Sequence, residues 1–228
     1  MKKLVLSLLF VAIASTVLFA QSNYDEQKFH FGLKASPVVS WARIEAPGVE
    51  SDGIRIGFTY GLMTEFAFTK NYAFATGVDV SYRGGKYTQK VTAINTQTLQ
   101  FQTIDVTRIQ KFQMIEIPVT LKLKTNEIGY MKYYGMFGGV PGFIVKSTED
   151  VESSNQDVLP DRDKRGNQSD FAFFNVSLHV GLGIEYNLGG STAFTTGIHY
   201  TNGLIDIWKE ENAQMRMDAI TLNIGVLF

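Results

Sequence analysis

The chain has 228 residues with a formal net charge of −1, and only 19% of it is charged. Soluble domains carry about 25% charged residues, and a near-neutral chain offers no basic footprint for nucleic acid. Cysteine is absent, which excludes disulfides, thiol catalysis, cysteine-bound zinc and lipidation on Cys. With 21 Gly, 17 Phe and 10 Tyr against 5 Pro, the composition leans towards an all-β fold.

Residues 1–20 have the layout of a secretory signal peptide. Lys2 and Lys3 form a positive start, Leu4 to Ala14 an apolar stretch, and Leu18-Phe19-Ala20 an end on a small residue. Ala12 to Ala14 offers a second cleavage position. The apolar stretch falls short of the roughly 20 residues a membrane helix needs. Residues 21–28 are expected to form a short periplasmic segment, and 29–228 a single β-domain.

From Phe29 onward the chain alternates with period two, the mark of strands with two unlike faces. One face of the first run reads Phe29, Phe31, Leu33, Ala35, Pro37, Val39, Trp41. The second run carries Ile54, Ile56, Phe58, Tyr60, Leu62 and the third Tyr72, Phe74, Val78, Val80, Tyr82. The fourth has Ile115, Ile117, Val119, Leu121, Leu123. The fifth, Met131 to Lys146, shows no clean alternation. The sixth runs Phe174 to Tyr186, the seventh Phe194 to Tyr200 and the eighth Ile220 to Phe228.

The opposite face of these runs is small and polar. An eight-stranded barrel has little interior room, which suits Gly, Ala, Ser and Thr better than stacked Phe and Tyr. The bulky face therefore belongs outside, against lipid. Links at 69–71, 125–129 and 188–191 are short, while those at 44–53, 87–108, 147–170 and 201–213 are long. Alternating short and long links are the habit of outer-membrane barrels, with short turns in the periplasm. The 87–108 link still alternates in part and is expected to continue strands three and four as a hairpin. Tyr60, Tyr72, Tyr82, Tyr200 and Trp41 fit interfacial belts. The fold class expected is an all-β, eight-stranded antiparallel up-and-down transmembrane barrel. Its place is the outer membrane of a Gram-negative cell, in contact with lipid and lipopolysaccharide.

Lys34, Arg55, Glu65, Asp79, Arg83, Glu116, Lys122 and Glu185 fall on the inward face with mixed signs, as do His30, His179 and His199. Buried charges must pair, so a closed polar network is expected, with a narrow pore as the alternative. His179 and His199 lie on neighbouring strands and are expected to approach each other, with His30 too low to join them. Ser177 and His179 are two apart on one strand and lack a catalytic motif around them, so no catalytic residue is assigned. Asp161 to Gly166 fails as a calcium loop because Arg165 takes a ligand position, and it is expected to be a solvated loop. No metal or cofactor is expected. Ile224, Val226 and the terminal Phe228 read as the signal that engages barrel-insertion machinery, with a protein partner expected at loops or periplasmic turns.

Ile115-Glu116-Ile117-Pro118-Val119-Thr120-Leu121-Lys122 resembles the "Y-x-E-I-P-x-x-x-K" strand of the PorT-like outer-membrane barrel family, with Met114 where an aromatic is common. Tyr133 to Gly142 is similar to the glycine-bearing strand that follows it, and Phe31-Gly32-Leu33-Lys34 also fits. The resemblance spans nearly all of 29–228 and implies an outer-membrane barrel, one branch of that family being associated with protein secretion and gliding. Together with the absence of a catalytic motif, the expected role is a structural or partner-docking barrel without catalysis. The alternatives are a narrow channel or small-solute transporter, a lipid-directed membrane enzyme, and a soluble periplasmic barrel with its bulky face around an apolar ligand.

Overall fold

The computed structural model describes residues 28–95, 97–155, 158–160, 162–166, 168–210 and 212–228. The expected signal peptide at 1–20 and most of the 21–28 segment lie outside them. The strands are β1 (Phe29–Glu45), β2 (Val49–Ser51), β3 (Ile54–Ala67), β4 (Tyr72–Ile94), β5 (Phe101–Glu116), β6 (Val119–Lys124), β7 (Met131–Ser153), β8 (Arg162–Gly166), β9 (Phe174–Gly189), β10 (Thr192–Gly203) and β11 (Gln214–Leu227).

Eight staves close into a ring. β1 pairs with β3, β3 with β4, β4 with β5 and β6, these with β7, then β9, β10 and β11, and β11 returns to β1, every pairing antiparallel. β5 and β6 are one stave. Pro118 has no N–H to give the ladder, so the strand is interrupted there, although the Ile117 N–H still bonds the Pro141 carbonyl at 2.9 Å. The register is the same on both sides of the break: Glu116 faces Gly142 and Val119 faces Gly139.

The alternating residues take the faces their pattern dictates. Phe31, Leu33, Ile56, Phe58, Leu62, Val78, Phe137, Leu182, Ile198 and Leu222 all point outward and are exposed. Apart from Asp218, which stands opposite Trp41 at the upper edge, no outward position between Phe29 and Trp41 on β1, or at matching heights on the other staves, carries a charge. Those twelve steps span about 40 Å of strand, which is about 28 Å of height at a tilt near 45°. That height matches the apolar belt of a membrane barrel. Rings border it at both ends: Phe29–Phe66 at 5.0 Å and Phe31–Phe228 at 5.5 Å at the short-turn end, and Trp41–Tyr200 and Tyr60–Tyr82, both at 6.4 Å, at the long-loop end.

The fifth run hides its alternation because β7 is bulged. Gln113 pairs with Lys146 but Met114 pairs with Ile144, so one residue is extra. Val145 and Lys146 both face out, between buried Ile144 and buried Ser147.

Three staves outrun the belt at the long-loop end. β4, β5 and β7 stay paired up to Ile94–Phe101 and Val106–Ser153, with β2 added along β4 and β8 along β7. The expected hairpin at 87–108 is thus the middle of a five-stranded projection, turning at Asn95. A small core of Ile104, Val106, Val151 and Val158 lines it. The solvated loop expected at Asp161 to Gly166 is corrected here: Arg162–Gly166 is strand β8, because the backbone of β7 offers it an edge.

Candidate functional site

The barrel interior is built in three storeys. The lowest, nearest the short turns, centres on Lys122. Its Nζ meets a carboxylate oxygen of Glu65 and lies 2.5 Å from Glu185, while the Nζ of Lys124 lies 2.6 Å from Glu65 and 2.9 Å from Glu185. These four side chains come from β3, β6 and β9, so the cluster bridges the barrel. Lys122 also sits 4.2 Å from the centre of the Tyr134 ring. Below it opens a vestibule of about 410 Å³ lined in part by His30, Lys124, Lys132, Glu127 and Glu185. His30 is at this rim, away from the other histidines.

In the middle storey Lys34 pairs with Asp79 at 2.7 Å and Arg83 with Glu116 at 2.6 Å. Arg83 also donates to Ser81, which bonds Thr59. His179 and His199 face each other with ring centres 4.9 Å apart, and the Tyr134 hydroxyl lies 3.2 Å from His199 Nε2. Among the described residues no group of His, Asp and Glu is arranged to hold a metal ion. Lys34, Asp79, Arg83, Glu116, His179 and His199 border a cavity of about 70 Å³, room for a few waters and no larger solute. Arg55 stands apart from these pairs: its Nη1 is buried with no hydrogen-bond partner among the described residues.

The top storey corrects the expectation of an interior that is small and polar throughout. Ala42, Phe112, Met114, Ile144, Met215 and Met217 point inward and pack around Phe171 and Ile207, which the 168–173 and 204–210 segments fold into the mouth. Those segments are held by bonds from Ala172 N–H to the Ile207 carbonyl and from Ile207 N–H to the Met215 carbonyl. Phe112 meets Phe171 edge-on at 4.9 Å, and Tyr87 and Trp208 close the layer at 5.8 Å. Burial pushes the Tyr87 hydroxyl up to about 12.

The sequence offers Met215 and Met217 only if the phase of the last run is carried back past Ala219. Lys124 likewise continues the inward phase of Lys122. Tyr134 was hidden by the broken alternation of β7, and Phe171 and Ile207 carry no periodic signal at all. Ile224 on β11 and Phe228 just beyond it are exposed, and Phe228 bonds back to Phe31 through both backbone groups.

The geometry is that of a stoppered cylinder: an apolar plug, two ion-paired layers and an open vestibule. Among solved structures the chain is similar to Neisserial surface protein A (12% identity, TM-score 0.47, 88% of this chain and 96% of that one). It is also similar to OprG of Pseudomonas aeruginosa (12%, TM-score 0.36, 87% and 95%). A third is Ail, the attachment invasion locus protein of Yersinia pestis (16%, TM-score 0.34, 86% and 98%). No curated protein matches the chain. The family model for an outer membrane protein beta-barrel domain matches residues 19–209, and the chain belongs to that family.

Proposed function

We propose that this outer-membrane barrel is a non-conducting structural or partner-docking protein, of the PorT-like kind that the Glu116 to Lys122 stave resembles. The observation that carries the reading is the lumen, stoppered by Phe171 and Ile207 above and cross-braced by Lys122 and Arg83 below. A closed barrel acts through its ends. The five-stranded projection supplies an outer docking platform, and the short turns supply a periplasmic one. On this reading residues 1–20 are a cleaved leader and 29–228 form the barrel. Ile224, Val226 and Phe228 hand the last strand to the insertion machinery. The lumenal charges brace the wall and catalyse nothing.

The test is conductance of the purified barrel in a planar bilayer. Silence at all voltages is expected. Steady unitary currents would sink the reading in favour of the narrow channel, for which the 410 Å³ vestibule would be the inner mouth. The PorT-like role has its own test: cells lacking the protein should lose export of secreted proteins, and unimpaired secretion rules that role out. If His179→Ala and His199→Ala left cells with an altered outer-membrane lipid profile, the exclusion of catalysis would fall.

A further inference from the structure

Above the apolar plug, among the strands that outrun the belt, the mouth holds a cleft of about 510 Å³. That volume lies within the ~300–1,000 Å³ of small-molecule sites. Its apolar side is made by Tyr87, Phe171 and Trp208, the last half-buried with its ring plane 13° from that of Phe171. Its polar side comes from β5, β7 and the two plugging segments, as Arg108, Glu149, Asp170, Lys209 and Glu210.

The walls are fixed by bonds of their own. Phe171 and Trp208 form a β-bridge, and the Lys209 N–H donates to the Asp170 carbonyl at 3.0 Å. The Asp206 carboxylate accepts from the N–H groups of Trp208 at 2.9 Å and Met215 at 2.8 Å. Arg108 holds Glu149, its Nη1 lying 3.0 and 3.3 Å from the two carboxylate oxygens. Binding to walls already ordered forfeits little entropy.

Two observations point to the ligand. Tyr87 is 3% exposed, yet its hydroxyl has no hydrogen-bond partner among the described residues. Buried hydroxyls normally have one. Burial dominates the rise of its pKa, and the charges of Arg108, Glu149, Glu210 and Asp170 act on it as well, so the hydroxyl stands among the polar groups of the cleft. The second observation is the mixture of signs. Outside the Arg108–Glu149 pair, Asp170, Lys209 and Glu210 are exposed and form no ion pair among the described residues. Lys209 donates only to the Ser169 carbonyl at 3.2 Å, and Asp170 accepts from the Ser169 hydroxyl at 2.9 Å. Acceptors and donors thus flank an aromatic wall with no dominant charge, and a simple ion would meet repulsion as well as attraction. A sugar ring matches both halves: its C–H face packs on aromatic rings, and its hydroxyls donate to carboxylates and accept from an ammonium or a phenol.

We propose that this cleft binds an uncharged pyranose unit, with Trp208 against the C–H face and Asp170, Glu210 and the Tyr87 hydroxyl bonding its hydroxyls. A diffusible sugar and the end of a glycan chain present the same unit. The inference rests on the geometry of the mouth and not on the docking role of the barrel.

The test uses the full barrel folded in phosphatidylcholine vesicles. The chain has two tryptophans, Trp41 and Trp208, so W41F makes Trp208 the sole reporter. The probes are the methyl glycosides of glucose, galactose, mannose and N-acetylglucosamine. At least one should change Trp208 emission saturably, while arginine amide and acetate should not. In the same background Y87F and D170N/E210Q should each raise the midpoint of that titration about tenfold, the effect of roughly one lost hydrogen bond, and keep the fast-migrating unboiled form on gels. Silence with all four glycosides overturns the site, as does a stronger response to arginine amide or acetate, or a midpoint that neither variant moves. Should both variants fail to fold, Lys209→Gln, at an exposed position, carries the comparison: a raised midpoint supports the site and an unchanged one overturns it. Supplying the responding unit as an oligosaccharide separates the two sources, both of which support the site: a chain-end site binds either form, and a site for a diffusible sugar only the free one. A conducting barrel that still binds the glycoside would sink the docking reading and leave this one standing.

Discussion

Lys122 is held by two carboxylates from opposite sides of the barrel and by the face of Tyr134, at 3% exposure. Removing it leaves Glu65 and Glu185 sharing only Lys124 in a low-dielectric space. Breaking a buried ion pair by deleting one partner costs about 3–5 kcal/mol. Lys122→Met should therefore lower the urea midpoint of the vesicle-folded barrel by an amount of that order. Lys124→Met, at 13% exposure and nearer the vestibule, should cost less. Equal effects would mean that the two lysines are interchangeable. Tyr87, outside the membrane belt, gives a pH handle. Burial raises its hydroxyl from 10 to about 12 in the folded state, so the unfolded chain loses the proton first. Its contribution is complete below pH 10 and declines as pH rises from 10 towards 12, by about 2–3 kcal/mol at full extent. Tyr87→Phe should flatten that alkaline limb; an unchanged limb would place the titration elsewhere. At this scale the sequence tells which way a side chain faces, because alternation reports only the face. It is silent on partners: Lys122 and Glu65 are 57 residues apart in the chain, and only the pairing of β3 and β6 on either side of β4 brings them together.

Among the elements, β7 departs most from what its residues announce. Its bulge puts Val145 and Lys146 on the same face, so no period-two template fits the run. The extra residue also means that deleting Val145 should leave Ile144 and Ser147 facing inward and restore a regular ladder with β5. That deletion should still give a heat-modifiable barrel, whereas deleting Leu121 from the unbulged stave should not, because every residue on one side of the cut would change face. If both deletions fold equally well, register in this barrel is not set by alternation. β4 makes the complementary point. Beyond the start of β3 it lies against β1, where a Cβ on Gly85 would come 2.6 Å from the Ala42 nitrogen. Overpacking of this kind costs typically about 1–3 kcal/mol, and Gly85→Val should cost at least that in the same urea assay. The clean runs are legible through the belt because each has one face on lipid. The projection and the mouth were less so, because strands leaving the membrane no longer need an apolar outer face, and plugging segments such as 168–173 follow no period.

At the scale of the whole molecule, the stopper and the braces are independent barriers in series. Phe171→Ala with Ile207→Ala should empty the top storey and lower stability by several kcal/mol, as large-to-small core changes do. It should still leave the barrel electrically silent, because the Arg83–Glu116 and Lys122 storeys lie beneath. Current through that double variant would show the plug to be the sole seal. Ring closure has a further consequence. β1 pairs with β11 from Gly32–Leu227 to Glu45–Gln214, so the first stave has no second neighbour until the last one arrives. Edge pairing cannot be completed while the chain is still emerging. Every intermediate exposes the open edges of β1 and of the newest strand, and its longest-range contacts form last. The whole chain must therefore be present before the ring can close. The time before ring closure, rather than the stability of the finished cylinder, is when this molecule is most exposed to aggregation and proteolysis.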